Sequence, residues 1–311
     1  MSCLFLLLAF AQSSAPARGY PTAQDSPPRR PSEEEYSNQV QAELDAGGLT
    51  AARDLARRAV ADYPQSAGAY QLLGAVLFKS QQADAARQAF RRSLDLDPKI
   101  AATYFDLALV ELSQKRHADA VGPLEACLQL DPGNAQAHLL LGRVYHNQNR
   151  TLPAIQQFKQ ALQLSPRLSG AHYHLGFAYQ SQGDLTSALA EYRKEIEIDP
   201  GFYDAYWLAG NIELERGHAT AAEPLFRKAI ELRPQGSQGH YGLARVLEAG
   251  NHLAEAETEL KTVLKTTPGD AEAHYTLGRV YQQMGRKEDA EQEYQSVAAL
   301  HTKTPAPPAQ P

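Results

Sequence analysis

The chain has 311 residues, with 30 Lys+Arg against 36 Asp+Glu, 43% hydrophobic and 8% aromatic content. This balance excludes disorder throughout, and a net charge of −6 argues against a chain built to hold nucleic acid, which requires a clear excess of Lys and Arg. Two cysteines, Cys3 and Cys127, are too few for a disulfide framework or a four-cysteine zinc site.

Residues 4–11, LFLLLAFA, form an apolar run that ends in Ala9-Phe10-Ala11, a small-x-small cleavage pattern before a polar stretch. Residues 1–11 therefore read as a signal peptide, although no Lys or Arg precedes the run. Export to the periplasm or the extracellular space is the expectation. The run makes about 12 Å of helix against a hydrocarbon core of ~30 Å, so no integral membrane anchor is expected from it. Cys3 precedes the run, which disfavours lipidation. Residues 12–32 carry Pro16, Pro21, Pro27, Pro28 and Pro31 and read as a disordered proline-rich linker, and residues 305–311 as a tail of the same kind.

Between these ends proline recurs at Pro64, Pro98, Pro132, Pro166, Pro200, Pro234 and Pro268, each 34 residues after the last. Placing these prolines at position 32 of a 34-residue frame divides residues 33–304 into eight units. Position 8 is Gly or Ala from Gly74 to Gly278, and position 20 is alanine from Ala52 to Ala290, which together specify a close helix crossing. Positions 4, 7, 8 and 11 share one arc of a helix, its packed face. Gly183, Gly217, Gly285, Asn149 and Asn251, around position 15, tolerate the left-handed conformation that closes a helix. A second helix follows, with Phe90, Leu124, Phe158, Tyr192, Phe226, Leu260 and Tyr294 at position 24, and ends before the proline. Pro123 and Pro224 fall inside such helices and are expected to bend them.

The pattern AHYHLGFAYQSQG in the fifth unit, with the alanine, aromatic and proline that follow it, resembles the tetratricopeptide repeat (TPR), here of an exported bacterial type. The resemblance implies an all-α fold, a right-handed superhelical solenoid of antiparallel helix pairs. It also implies a concave groove lined by the first helices that binds a protein or peptide segment without catalysis. Gln39 and Glu43 give the first unit a polar outer face, while Ala298 and Glu291 blunt the last. Val297 and Leu300 leave apolar surface there for a partner or for self-association through the C-terminal end.

Positions 2, 5, 6, 9, 12 and 13 point away from the packed arc and should line the groove. Position 5 gives an aromatic stripe, Tyr173, Trp207, Tyr241 and Tyr275; position 9 gives Arg143, Phe177, Asn211, Arg245 and Arg279. Aromatic rings beside guanidiniums are typical of interface hot spots, so these nine residues are the expected partner-binding set, for an extended acidic or C-terminal peptide. The N-terminal half, with Leu72, Ala75, Phe78, Leu109 and Leu112, reads as apolar and suited to a hydrophobic segment. The family's chaperone-tail carboxylate clamp is matched by Asn211 alone, which disfavours that partner. A second reading stacks the aromatic stripe on sugar rings during envelope polysaccharide assembly.

No cofactor, metal or catalytic residue is expected. His138, His172, His240 and His274 share position 4 on the packed face, about 8–10 Å apart in successive units, far from the ~2.0–2.1 Å of a zinc–nitrogen bond. Cys127 takes a position filled elsewhere by Ala161, Ala229 or Val263 and reads as a small buried hydrophobe.

Overall fold

A computed structural model describes residues 29–303. Residues 1–11, expected to form a signal peptide, most of the expected proline-rich linker and the expected tail lie outside the described residues. Sixteen helices and no strand occur among the described residues, and they run as antiparallel pairs. The pairs are α1 (Glu33–Asp45) with α2 (Leu49–Asp62), α3 (Ala67–Lys79) with α4 (Ala83–Leu96), α5 (Ala101–Ser113) with α6 (His117–Leu130), and α7 (Ala135–Asn147) with α8 (Thr151–Leu164). They continue as α9 (Ala171–Ser181) with α10 (Leu185–Ile198), α11 (Tyr203–Glu215) with α12 (Ala219–Leu232), α13 (Ser237–Ala249) with α14 (Leu253–Thr266), and α15 (Ala271–Gln283) with α16 (Lys287–Lys303).

Local chemistry starts and stops these helices. Ser32, Ser66, Asn134 and Asp270 each accept the backbone N–H three residues on, which satisfies a donor the helix cannot. Each first helix ends in a left-handed residue at position 15: Gly47, Gln81, Lys115, Asn149, Gly183, Gly217, Asn251 and Gly285. Gln81 (φ 60°) and Lys115 (φ 57°) hold this conformation without the freedom of glycine or asparagine, so the frame imposes the turn where the residue does not favour it. Helices α6 and α12 run unbroken through Pro123 and Pro224, at the same 14-residue length as α2, α4, α8, α10 and α14.

Within each pair the crossing is set by complementary sizes. Position 20 is buried in every pair, from Ala52 to Ala290. At position 8 a Cβ on Gly74, Gly142, Gly176, Gly210 or Gly278 would fall 2.5–2.9 Å from the ring of Phe90, Phe158, Tyr192, Phe226 or Tyr294, closer than real carbons approach. Where position 24 is the smaller Leu124 or Leu260, position 8 is Ala108 or Ala244; in the first pair the sizes reverse to Val40 and Ala56.

Position 27 is also specialised. Cys127 is fully buried, as expected for a small apolar group. Glu195, at the same position, is fully buried too, and its carboxylate accepts the N–H of Gly170 at 2.7 Å and of Tyr173 at 3.1 Å. It caps α9, whose own N-cap residue, Gly170, has no side chain to offer.

Successive first helices touch one another (α1 with α3, α3 with α5, α7 with α9, α11 with α13, α13 with α15), while second helices make no comparable contact. The first helices therefore form the inner wall of the solenoid. At its ends Gln39 and Ala298 are exposed, whereas Val297 and Leu300 are only half-exposed.

Candidate functional site

Several depressions open along the inner wall. A depression of about 920 Å³ between α13 and α15 is walled by Tyr241, Arg245, Glu248, Tyr275, Arg279 and Gln283, with Val297 and His301 of α16 closing one side. A smaller one of about 300 Å³ adjoins it between α11 and α13, where Trp207 and Asn211 face Tyr241 and Arg245. Arg143 sits elsewhere, in a depression of about 320 Å³ with Phe78, Leu109, Leu112 and Leu140. Seven of the nine expected residues thus line open space, in two separated parts of the groove.

The three arginines are not equivalent. Arg279 Nη2 lies 2.9 Å from Oε1 of the buried Glu248, which also accepts from Gln283 Nε2 at 2.9 Å. Its charge is answered from within the protein. Arg245 has no carboxylate partner among the described residues; its guanidinium stands 5.9 Å from the ring centre of Tyr241. Arg143 likewise lacks an ion pair among the described residues, and its charge helps to keep the neighbouring His174 neutral. Burial is the larger cause there, and the two, with His146, lower that imidazole to about 3.

Nor is the aromatic stripe uniform. Tyr173 packs against His174, Phe177, Tyr192 and Phe202, with ring centres 5.0–6.3 Å away, so its ring belongs to an internal cluster. Phe177 is 39% exposed and leans on His146 at 5.2 Å. Trp207 is half-buried and donates its indole N–H to Asp204 at 2.9 Å. Tyr241 pairs its hydroxyl with Thr276 at 3.2 Å, and Tyr275, 53% exposed, is the ring most open to solvent.

The N-terminal groove departs from the apolar expectation. Leu72 and Ala75 share a depression of about 430 Å³ with Glu33, Glu34 and Asp106. Burial raises the Asp106 carboxyl above the ordinary range, while the amide of Gln71 opposes that shift. Phe78, Leu109 and Leu112 belong instead to the Arg143 depression. Two acidic groups that matter, Glu248 and Asp106, were missed from sequence; their signal is a carboxylate at a groove-lining position, 12 or 6.

Among the described residues no cluster of His, Cys, Asp and Glu could hold a metal ion, and no helix is long and apolar enough to cross a membrane. The histidines at position 4 are bonded within the packing, as expected: His172 Nδ1 meets Glu191 and His240 Nδ1 meets Glu259.

A stack of helix pairs with an open inner wall defines a helical-repeat interaction module. Tetratricopeptide-repeat models match residues 38–101, 73–135 and 173–237, and further ones match 213–274, 259–307 and 153–183. The first of these models alone spans more than half of the chain, and the chain belongs to the tetratricopeptide-repeat family. A search of curated protein sequences finds no match. Among solved structures, MamA is similar at 28% identity and a TM-score of 0.50, over 52% of this chain and 95% of MamA. PilF of Pseudomonas aeruginosa shares the fold at 17% identity and a TM-score of 0.58, over 66% of this chain and 93% of its own. YrrB, described as a TPR protein with an unusual peptide-binding site, shares it at 18% and 0.51, over 58% and 93%. Proteins of this family are generally interaction modules without catalytic activity.

Proposed function

We propose that the chain is an exported scaffold of eight repeat units that holds an extended protein segment in its groove, with the C-terminal depression as the principal anchor. The observation that carries this reading is the meeting of the exposed ring of Tyr275 with Arg245, a groove guanidinium without a carboxylate partner, across an open volume of about 920 Å³. A ring in contact with an apolar side chain and a fork of N–H donors for a carboxylate are the two features that concentrate binding energy in such interfaces. Arg245 and Arg143 serve as anion contacts. Arg279, held by Glu248, orients the wall instead.

An array of peptides with and without acidic residues, probed with the protein, tests the reading. Acidic peptides should be retained, and Arg245→Ala should weaken the best of them about tenfold, an effect of ~1.4 kcal/mol, without loss of helicity. An affinity unchanged by Arg245→Ala and Tyr275→Ala would remove the C-terminal depression from consideration. The glycan reading requires a ladder of open rings and is weaker, because Tyr173, Trp207 and Tyr241 are each half-buried. Retention of glycans but not peptides on arrays would reverse this order. Export rests on residues 1–11 and is tested by fusing them to a reporter active only outside the cytoplasm.

A further inference from the structure

Four first helices open with one recurring bridge. His138, His172, His240 and His274 each turn Nε2 to the carbonyl of the proline six residues earlier, at 3.2, 3.2, 3.0 and 3.1 Å from Pro132, Pro166, Pro234 and Pro268. Each turns Nδ1 to a side chain nineteen residues later: Gln157 at 2.7 Å, then Glu191, Glu259 and Glu293 at 2.5 Å. One ring thus ties three elements, its own first helix, the second helix of the same pair, and the loop that ends the preceding pair.

The proton count separates these bridges. A carbonyl oxygen only accepts, so Nε2 must carry hydrogen in all four. Nδ1 of His138 meets an amide, which can present either its oxygen or its N–H, so that bridge closes with a neutral ring. A carboxylate offers no such choice. At 2.5 Å from Glu259, Nδ1 needs a proton between nitrogen and oxygen, since otherwise a lone pair would face an anion in a buried site.

We propose that the His240–Glu259 bridge is a proton-dependent latch on the groove: when protonated it locks the first turn of α13 against α14 and the Pro234 loop, and when the proton leaves, it opens. The consequence falls on the groove because Tyr241 follows His240 directly and Arg245 stands on the same helix, both lining the depressions on either side of α13. Among the described residues, Glu259 of α14 is the charged group that faces the His240 ring, and the α12 side supplies the carbonyl of Pro234. The equivalent Glu191 differs, because it is shared with Lys194 at 2.8 Å.

The hydrogen bond to Glu259 raises the His240 imidazole above its ordinary range, with burial opposing and the Pro234 carbonyl assisting. A raised folded value fixes the sign of the linkage. The latch is fully engaged below the unfolded value of about 6.5 and is lost as pH rises through the folded value. This inference does not depend on what the groove binds.

The test uses the full chain and two probes: the imidazole NMR signals of its histidines, and the fluorescence of Trp207, the single tryptophan, which faces Tyr241 across the smaller depression. Between about pH 5.5 and 9, His240 should titrate with a midpoint above ~6.5, and Trp207 emission should change with the same midpoint. Glu259→Gln, which copies the neutral His138–Gln157 bridge, should lower the His240 midpoint relative to wild type and remove the matching fluorescence change. A His240 midpoint at the ordinary value, or a Trp207 signal indifferent to the His240 titration, overturns the proposal. The two wild-type titrations decide it even if the variant does not fold.

Discussion

The two halves of the groove share one backbone frame and differ in almost everything that meets a partner. From α11 to α15 the wall offers Trp207, Tyr241, Tyr275 and Arg245. From α1 to α7 it offers Leu72, Phe78, Leu109 and Leu112, broken into an acidic depression around Asp106 and an apolar one around Arg143. The helix crossings meanwhile follow the same rule of complementary size throughout. Positions that touch a neighbour inside the pair are constrained by volume, whereas positions on the inner wall turn part of their surface to open space and admit a wider range of side chains, so the wall is where the repeats diverge.

The largest expected effect strikes what the halves have in common. Gly142→Ala puts a carbon about 2.6 Å from the ring of Phe158 and should cost about 1–3 kcal/mol, read as a lower denaturant midpoint. Adding Phe158→Leu recreates the Ala108–Leu124 arrangement and should recover most of that loss, so a double-mutant cycle showing simple additivity would break the size rule.

Arg279→Ala comes next. It leaves the buried carboxylate of Glu248 with Gln283 alone and should destabilise by about 1–2 kcal/mol, less than a fully buried pair would because Arg279 is half-exposed. Arg245→Ala, with no carboxylate to abandon, should leave the melting profile within about 0.5 kcal/mol of wild type. Equal losses from the two would erase the distinction between an orienting and a binding arginine. The smallest effect sharpens the N-terminal side: Lys115→Gly relieves a left-handed residue at φ 57° and should stabilise by roughly a few tenths of a kcal/mol, net of the extra chain entropy of glycine.

Much of the fold was legible before any coordinates. The spacing of Pro64 to Pro268, the alanines at position 20 and the glycines at position 8 are local signals, and they gave the helix pairs and the inward-facing positions. The left-handed turn was read at Gly183 and Asn149 but not at Gln81 or Lys115, because their side chains carry no preference for it; there the surrounding frame overrides the residue. The candidate site was only half legible. Arg143, Arg245 and Arg279 look alike in a helical projection, which says where a side chain points and nothing about who meets it.

The sequence by itself determined the period, the helix pairs, the small-residue crossings and the face of each helix that lines the groove, because these depend on interactions within a few turns of one chain segment. Only the tertiary structure decided that Glu248 neutralises Arg279, that Tyr173 turns into an aromatic cluster, and that Glu195 caps a helix twenty-odd residues upstream. Contacts such as Tyr241 with Thr276, thirty-five residues apart, depend on how one pair is set against the next. That setting is the sum of many small packing choices, and no residue pattern along the chain encodes it singly.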